Sequence, residues 1–512
     1  MSSASPLFTD LYQISMALAC IDSNRDKQTG VFELFFRECP FGGEYAILSG
    51  HHQVRELLEG CRFQDSDIEY LKKVPSLASV PSESFDALKE FDLNDVEVDM
   101  IEEGRPVFPR LPLLQARGPV WKLQLIESGL LNALNFSSLV STYARRIRRI
   151  APTQQLIEFG LRRAQGPNGA MTATRASFIG GFDGSSNVLA AKNFGIPVYG
   201  TMAHSFVQSF FGPELDDFCW DDKDSRSEIK QICAEDSLQT NQGELTSFFY
   251  FAKSFPENSL LLVDTYDSLQ SGVPNAIRVF KFLKARGHKP LGIRLDSGDL
   301  VYLSQQARKL LDEAGFQGAK IFASNDLSEE IIDSLLSQGA KIDAFGVGTR
   351  LVTCYDQAAL GGVYKLVELE GQPRLKISQQ TEKMVLPGAK SAYRVYGDNG
   401  EALLDYLCLR SEPPPKPGEE LLALHPTDPL KRVRVIPRRV EALLKPQFRE
   451  AQFLAKLSLE ESRTRSLEDL KSIREDILRR KNPAPYKVSV SPKLRDCFLK
   501  LFEKESPPKE VQ

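Results

Sequence analysis

In IRLDSGD, from Ile293 to Asp299, apolar Ile293 and Leu295 alternate with Arg294 and Asp296. Residues two apart in a strand share a face, so a guanidinium and a carboxylate leave the backbone on the same side. Burying them costs on the order of several kcal/mol unless they satisfy each other or hold something charged. A structural Arg–Asp pair and a ligand-binding pair explain the pattern equally well. Asp299 near the same tip and Asp264 on the preceding strand add carboxylates. Acids around a phosphate site suit Mg2+ (or Mn2+), which takes one or two carboxylates together with substrate phosphates.

FGVGTR, from Phe345, places Gly346 and Gly348 two apart with Thr349 behind them. Glycine backbone lets amides approach a phosphate closely, although a plain tight turn has the same composition. His204, one of five histidines, follows an apolar run in VYGTMAHS. A neutral imidazole there can act as a base or accept a phosphoryl group, or serve only as a hydrogen-bonded structural residue. Ser-His-Asp order, HExxH and a Walker A sequence are missing, which removes serine hydrolase, zincin and P-loop readings.

The elements that position these residues follow from a repeated unit between about Pro152 and Leu351: an apolar run, a polar or Gly-rich tip, an amphipathic stretch, then a glycine. This is βα rhythm. Helices are expected to end at Gly195, Gly287, Gly315 and Gly339, to start with Pro274 in a first turn, and to start at Asp326 with Glu329 as a capping-box variant. Seven polar tips in order begin at Glu158, Phe178, Tyr199, Val263, Ile293, Phe322 and Phe345. The expected fold is α/β, an irregular (β/α) barrel of about seven parallel strands with functional groups at the strands' carboxyl ends. A doubly wound open sheet is the alternative.

The flanks differ, giving four regions: 1–118, mixed α and β; 119–152, a helical connection; 153–352, the barrel; and 353–512, with hairpin strands at GGVYKLVEL and PRLKIS, a proline-rich linker at 411–420 and a charged helix over 457–481. Two helices are expected in 122–150, broken at Asn135–Ser138, and 216–246 is a polar excursion. A net charge of −4 from 64 basic and 68 acidic side chains argues against nucleic acid. With neither a bilayer-length apolar run nor a signal-peptide start, no membrane partner is expected and the address is the cytosol. The eight cysteines are scattered, so free, mostly buried thiols are expected.

TDLYQISMA (9–17), FELFFRECPFGG (32–43), FGLRRAQG (159–166), GGFDGSSN (180–187), GTMAHS (200–205), LVDTY (262–266), RLDSGDL (294–300), FGVGT (345–349) and GGVYKLV (361–367) together resemble, in order, the motifs of the nicotinate phosphoribosyltransferases, a type II phosphoribosyltransferase family. The resemblance implies a barrel plus an α+β domain built from both chain ends, in a homodimer with its active site at the interface. It implies phosphoribosyl transfer from phosphoribosyl diphosphate to nicotinate, with ATP hydrolysis coupled, on the route to NAD. Arg294 suits the nicotinate carboxylate, a charge-assisted contact worth roughly 1.5 to 3 kcal/mol. The resemblance nominates Tyr12, from the partner subunit, for the ring and Thr201 for the same ligand. It gives Arg162, Gly346, Gly348 and Thr349 the sugar substrate's phosphates, His204 phosphorylation by ATP, and Asp296 and Asp299 the ribose hydroxyls or magnesium. Departures are Met202 inside GTMAHS and the polar excursion. A nicotinamide-preferring relative and a non-catalytic scaffold are the alternatives. A barrel isomerase or aldolase has no evident Schiff-base lysine or acid–base pair here.

Overall fold

The structure is a computed structural model and describes residues 5–221, 223–236, 238–377, 385–454 and 458–506. The chain divides into two compact units, Arg146–Tyr355 and Met1–Arg145 with Asp356–Gln512.

In the first of these, parallel strands pair in the order Leu260–Leu262, Gly292–Leu295, Lys320–Ala323, Ala344–Val347, Gln155–Glu158 and Gly184–Ser185. A single parallel bridge from Ser185 to Val198 adds a seventh segment. The Thr201 hydroxyl then donates to the Leu260 carbonyl and returns the ring to its first strand. Five of the seven expected tips follow ladder strands; the one at Phe178 begins in the helix Gly166–Ile179 and contains its own short strand, Gly184–Ser185. The tip at Tyr199 follows only a bridge, because Pro197 has no N–H to give a longer ladder. The barrel is therefore irregular where it closes.

Register decides what faces inward. Arg294 pairs with Leu262 on one side and Phe322 on the other, and Phe322 pairs with Ala344. Ile157, Leu260, Phe322 and Ala344 form one apolar cluster with Phe159, Tyr199 and Leu291 against it. The opposite parity, Ile293, Leu295, Ile321 and Phe345, is fully buried. Gly195, Gly287, Gly315 and Gly339 all end helices with φ between 69° and 83°, where a side chain would be strained. Pro274 lies in the first turn of its helix. The capping expectation at Asp326 needs correction: Ser328 caps Glu329–Ser337, its hydroxyl accepting from the Ile331 N–H.

The other unit holds two six- to seven-stranded sheets. In one, Thr29–Phe35 pairs with both Leu114–Pro119 and Val363–Leu369, so strands from the two chain ends share a sheet. In the other, Lys390–Tyr396 lies between Ala402–Leu409 and Arg439–Ala442. The expected helix break at Asn135–Ser138 is absent: helices span Val120–Leu125 and Glu127–Ile150. Two of its polar residues bond across to neighbours rather than to their own turn. Asn135 accepts from the Gly362 N–H, and Ser138 exchanges bonds with the Ser49 backbone. The expected 457–481 helix is real only over Leu459–Glu468, continued by a 3-10 turn, Asp469–Ser472; residue 457 lies outside the described residues. PRLKIS contributes only Pro373 to a strand, Gln372–Pro373, and its last residue lies outside the described residues. All eight cysteines are free, three of them buried. Among the described residues, no helix is long and apolar enough to cross a membrane.

Candidate active site

At the carboxyl ends of the barrel strands, Arg294 is held in a fixed pose by two neighbours. Its Nε donates to Ser324 Oγ at 2.9 Å and its Nη2 to Asp296 Oδ1 at 3.0 Å. Nη1 has no partner among the described residues. Asp296 Oδ1 also accepts from Ser324 Oγ. Its other oxygen, Oδ2, lies 3.8 Å from His204 Nε2. On the imidazole's far side, Nδ1 is 3.0 Å from Thr265 Oγ1. With the Thr265 hydroxyl donating to Nδ1, the Nε2–H is the ring edge that faces the carboxylates.

Asp264 completes this group. Its Oδ2 accepts from the Asp296 N–H at 3.0 Å and from Ser297 Oγ at 2.5 Å, so it fixes the turn that carries Asp296. Its Oδ1 is buried without a hydrogen-bond partner, 4.0 Å from His204 Nε2. A bare carboxylate oxygen so placed is costly unless a donor or cation meets it. Arg294, Asp296 and His204 are thus brought together.

Phe159 connects this group to the glycine tip. The Arg294 guanidinium lies 5.6 Å from the Phe159 ring centroid. A Cβ on Gly346 would come within 2.4 Å of that ring. Gly346 is therefore small because Phe159 occupies the space above it. Gly348 stands 3.3 Å, by its absent Cβ, from the Phe159 carbonyl, and Thr349 begins the short helix Thr349–Val352. Arg162 lies on the adjoining turn Leu161–Arg163, exposed, and makes no ion pair among the described residues. A free cation beside glycine backbone suits a phosphate.

Two buried carboxyls brace the tips. Glu158 accepts from the Gly160 N–H, from Thr174 Oγ1 at 2.9 Å and from Ser185 Oγ at 2.5 Å. Burial raises its pKa, and those three bonds lower it. The Ser and Asn of GGFDGSSN are thereby committed to structure: Ser185 bonds Glu158, and Asn187 caps Val188–Phe194. Glu244, fully buried on the helix Gln242–Ser254, accepts from Ser271 Oγ at 2.6 Å and Asn275 Nδ2 at 2.9 Å. These bonds pin the segment following Asp264. Burial, with the Asp264 and Asp267 charges adding, pushes Glu244 up to about 7.

Other expected residues stand differently. Asp299 caps Leu300–Glu313, one oxygen accepting from the Val301 and Tyr302 N–H groups. Thr201 spends its hydroxyl proton on barrel closure. Tyr12, on the helix Leu11–Asp22, belongs to the other unit and is 52% exposed. For magnesium, Asp264 Oδ1 and Asp296 Oδ2 make a fitting donor pair, since Mg2+ keeps waters and substrate phosphates as its remaining ligands. Among the described residues, no group of three or more His, Cys, Asp and Glu side chains forms a cation cage. Sequence reading passed over Phe159, Ser324, Thr265 and Glu244. The period-two parity of Phe159 with Ile157 was the one available signal.

Three family models cover most of the chain: the nicotinate phosphoribosyltransferase N-terminal domain over residues 7–135, the family itself over 154–255 and its C-terminal domain over 389–498. Nicotinate phosphoribosyltransferase 2 of Arabidopsis thaliana is 44% identical over 99% of this chain and 96% of its own. The Homo sapiens nicotinate phosphoribosyltransferase is 39% identical over 99% and 98%. The crystal structure of the human enzyme superposes with a TM-score of 0.86 at 37% identity, covering 96% of this chain and 99% of that one. A nicotinate-nucleotide pyrophosphorylase from Pyrococcus furiosus shares the fold, with a TM-score of 0.63 at 22% identity over 91% of this chain and 94% of its own. Likeness along the whole length, together with a barrel whose tips carry Arg294, Asp296 and His204 in one polar group, establishes that the chain belongs to the nicotinate phosphoribosyltransferase family.

Proposed function

We propose that the barrel mouth transfers phosphoribose from phosphoribosyl diphosphate to the ring nitrogen of nicotinate in the cytosol, giving nicotinate mononucleotide and diphosphate for NAD synthesis. The observation that carries this is Arg294: oriented by Ser324 and Asp296, backed by Phe159, with Nη1 left over for a carboxylate. The pyridine nitrogen brings its own lone pair, so its attack on C1′ needs no base. As the bond from C1′ to diphosphate breaks, charge develops on the ribose. Asp296 and Asp264 supply nearby negative potential, and Arg162 with the Gly348–Thr349 backbone takes the phosphates. Magnesium, when held by Asp264 and Asp296, neutralises charge on the departing diphosphate.

His204 is the residue phosphorylated by ATP in this reading. The γ-phosphoryl passes to a ring nitrogen, ADP leaves, and later hydrolysis returns the free imidazole and phosphate. The Thr265 contact orients the ring for that exchange. Tyr12 is assigned to the nicotinate ring of the other subunit in a homodimer, and Thr201 to the same ligand.

The test is an assay of the purified protein with labelled nicotinate or nicotinamide, phosphoribosyl diphosphate and magnesium, with and without ATP. Nicotinate mononucleotide formation, stimulated by ATP, is expected. Product from nicotinamide but not nicotinate overturns the substrate assignment. His204→Ala should abolish ATP stimulation and leave basal transfer; retained coupling removes the phosphohistidine.

A further inference from the structure

The unit assembled from both chain ends holds a cavity of about 620 Å3 that the proposed reaction does not use. Its wall carries Arg37, Arg110, Lys431, Arg432 and Lys487 against one acid, Glu44. In a chain of net charge −4, five cations around one concavity run against the overall balance. Lys431, Arg432 and Lys487 are little offset by acids. Glu44 is tied to the Tyr486 backbone N–H, and its pKa is raised by burial. Lys431 has Asp428 at 3.3 Å, an exposed contact of small worth. Arg432 and Lys487 make no ion pair among the described residues.

Two further observations point the same way. Arg110 is held at φ 68°, its N–H donating to the Phe36 carbonyl at 2.8 Å. Such a conformation is unfavourable for any side chain and persists where placement matters. His425, on the same wall, accepts the Thr427 and Asp428 N–H groups at Nδ1, at 3.3 and 3.0 Å. Its pKa is lowered by burial and by Arg110 and Lys431, with Asp428 opposing, so it lines the cavity as a neutral donor through Nε2. Beside the cations stand apolar Pro426, Val433 and Leu430, the last 88% exposed.

We propose that this cavity is a binding site for an organic phosphate of mononucleotide size, its phosphate met by the guanidinium and ammonium groups and its flat base by Leu430, Pro426 and Val433. The volume lies within the range of small-molecule sites. Several cations with two or more forked donors favour a multivalent phosphate over a lone carboxylate. Every lining residue belongs to the unit that does not carry Arg294 or His204. The assignment stands whether or not the barrel carries the proposed reaction.

The experiment is isothermal titration of the full-length protein with adenosine 5′-monophosphate, adenosine and inorganic phosphate, on wild type, the double variant Arg432→Glu/Lys487→Glu, and His204→Ala. Wild type should bind the monophosphate at least tenfold more tightly than either fragment. The double variant should lose at least tenfold while melting like wild type, and His204→Ala should bind unchanged. Arg432→Ala/Lys487→Ala should give an intermediate loss, which separates charge removal from charge reversal. The Michaelis constants for nicotinate and phosphoribosyl diphosphate should not move in either double variant. The proposal is overturned by absent binding, by binding indifferent to the double variants, by equal binding of inorganic phosphate alone, or by loss in His204→Ala. A raised Michaelis constant for phosphoribosyl diphosphate in the double variants also overturns it, because the cavity would then belong to the reaction site.

Discussion

Two arginine–aspartate pairs, one in each unit, have opposite designs. Arg394 and Asp405 are 1% and 0% exposed. Their contact is bidentate, with Nε and Nη2 at 2.8 and 2.9 Å from the two oxygens, and Tyr486 and the Pro106 carbonyl take further bonds. Arg294 and Asp296 are 15% and 29% exposed and share a single 3.0 Å contact. The sealed pair engages both carboxylate oxygens and leaves only a buried Nη1 over, whereas the open pair leaves Nη1 and Oδ2 over. The same residue types thus hold a fold together when sealed and, when left incomplete at the strand ends, keep a donor and an acceptor unspent.

Breaking the sealed pair should have the largest effect. Asp405→Ala leaves a buried guanidinium uncompensated and should cost about 3–5 kcal/mol by chemical denaturation. Catalysis by the fraction still folded should be unchanged. A loss below about 1 kcal/mol would erase the contrast. Arg294→Ala should do the reverse, lowering kcat/KM for nicotinate roughly a hundredfold or more, about 3 kcal/mol. Its melting temperature should stay close to wild type, because Asp296 still reaches water. Arg294→Lys should restore little, since an ammonium cannot reproduce the fork held by Ser324 and Asp296.

A third prediction concerns the brace beneath the mouth. Glu244 titrates near 7 in the folded chain rather than near 4.5, so the folded state binds its proton more tightly than the unfolded state does. Its contribution to stability is whole below the ordinary carboxylate range, falls as pH rises from about 4.5 to about 7, and is flat above. The full drop is on the order of 3 kcal/mol. Glu244→Gln should flatten that slope in pH-dependent melting; an identical slope in the variant would take Glu244 out of the account. Smallest is Gly346→Ala, where the new methyl meets the Phe159 ring. It should cost about 1–3 kcal/mol and be rescued by Phe159→Leu, as a double-mutant cycle would register.

What the sequence disclosed is what period and punctuation carry. The alternation in IRLDSGD placed Arg294 and Asp296 on one face, and the glycines after four helices marked where the strands begin. Phe159 was not legible as a site residue because its role depends on pairing with Gly346, almost two hundred positions away. Glu244 lies in a helix that begins inside the polar excursion rather than at a strand tip, so only tertiary packing reveals it. The Asn135–Ser138 stretch looked like a break because its polar groups compete locally in isolation; in the fold, Ser49 and Gly362 engage them. The seventh strand shrank to a bridge because Pro197 interrupts its donors.

The most direct measurement is the Michaelis constant for nicotinate in wild type and Arg294→Ala, with the turnover of nicotinamide measured alongside. A free guanidinium arm at the barrel mouth predicts turnover of nicotinate by wild type, little of nicotinamide, and a large rise in the nicotinate constant for the variant. An unchanged constant, or a wild-type protein that consumes nicotinamide and ignores nicotinate, would contradict it.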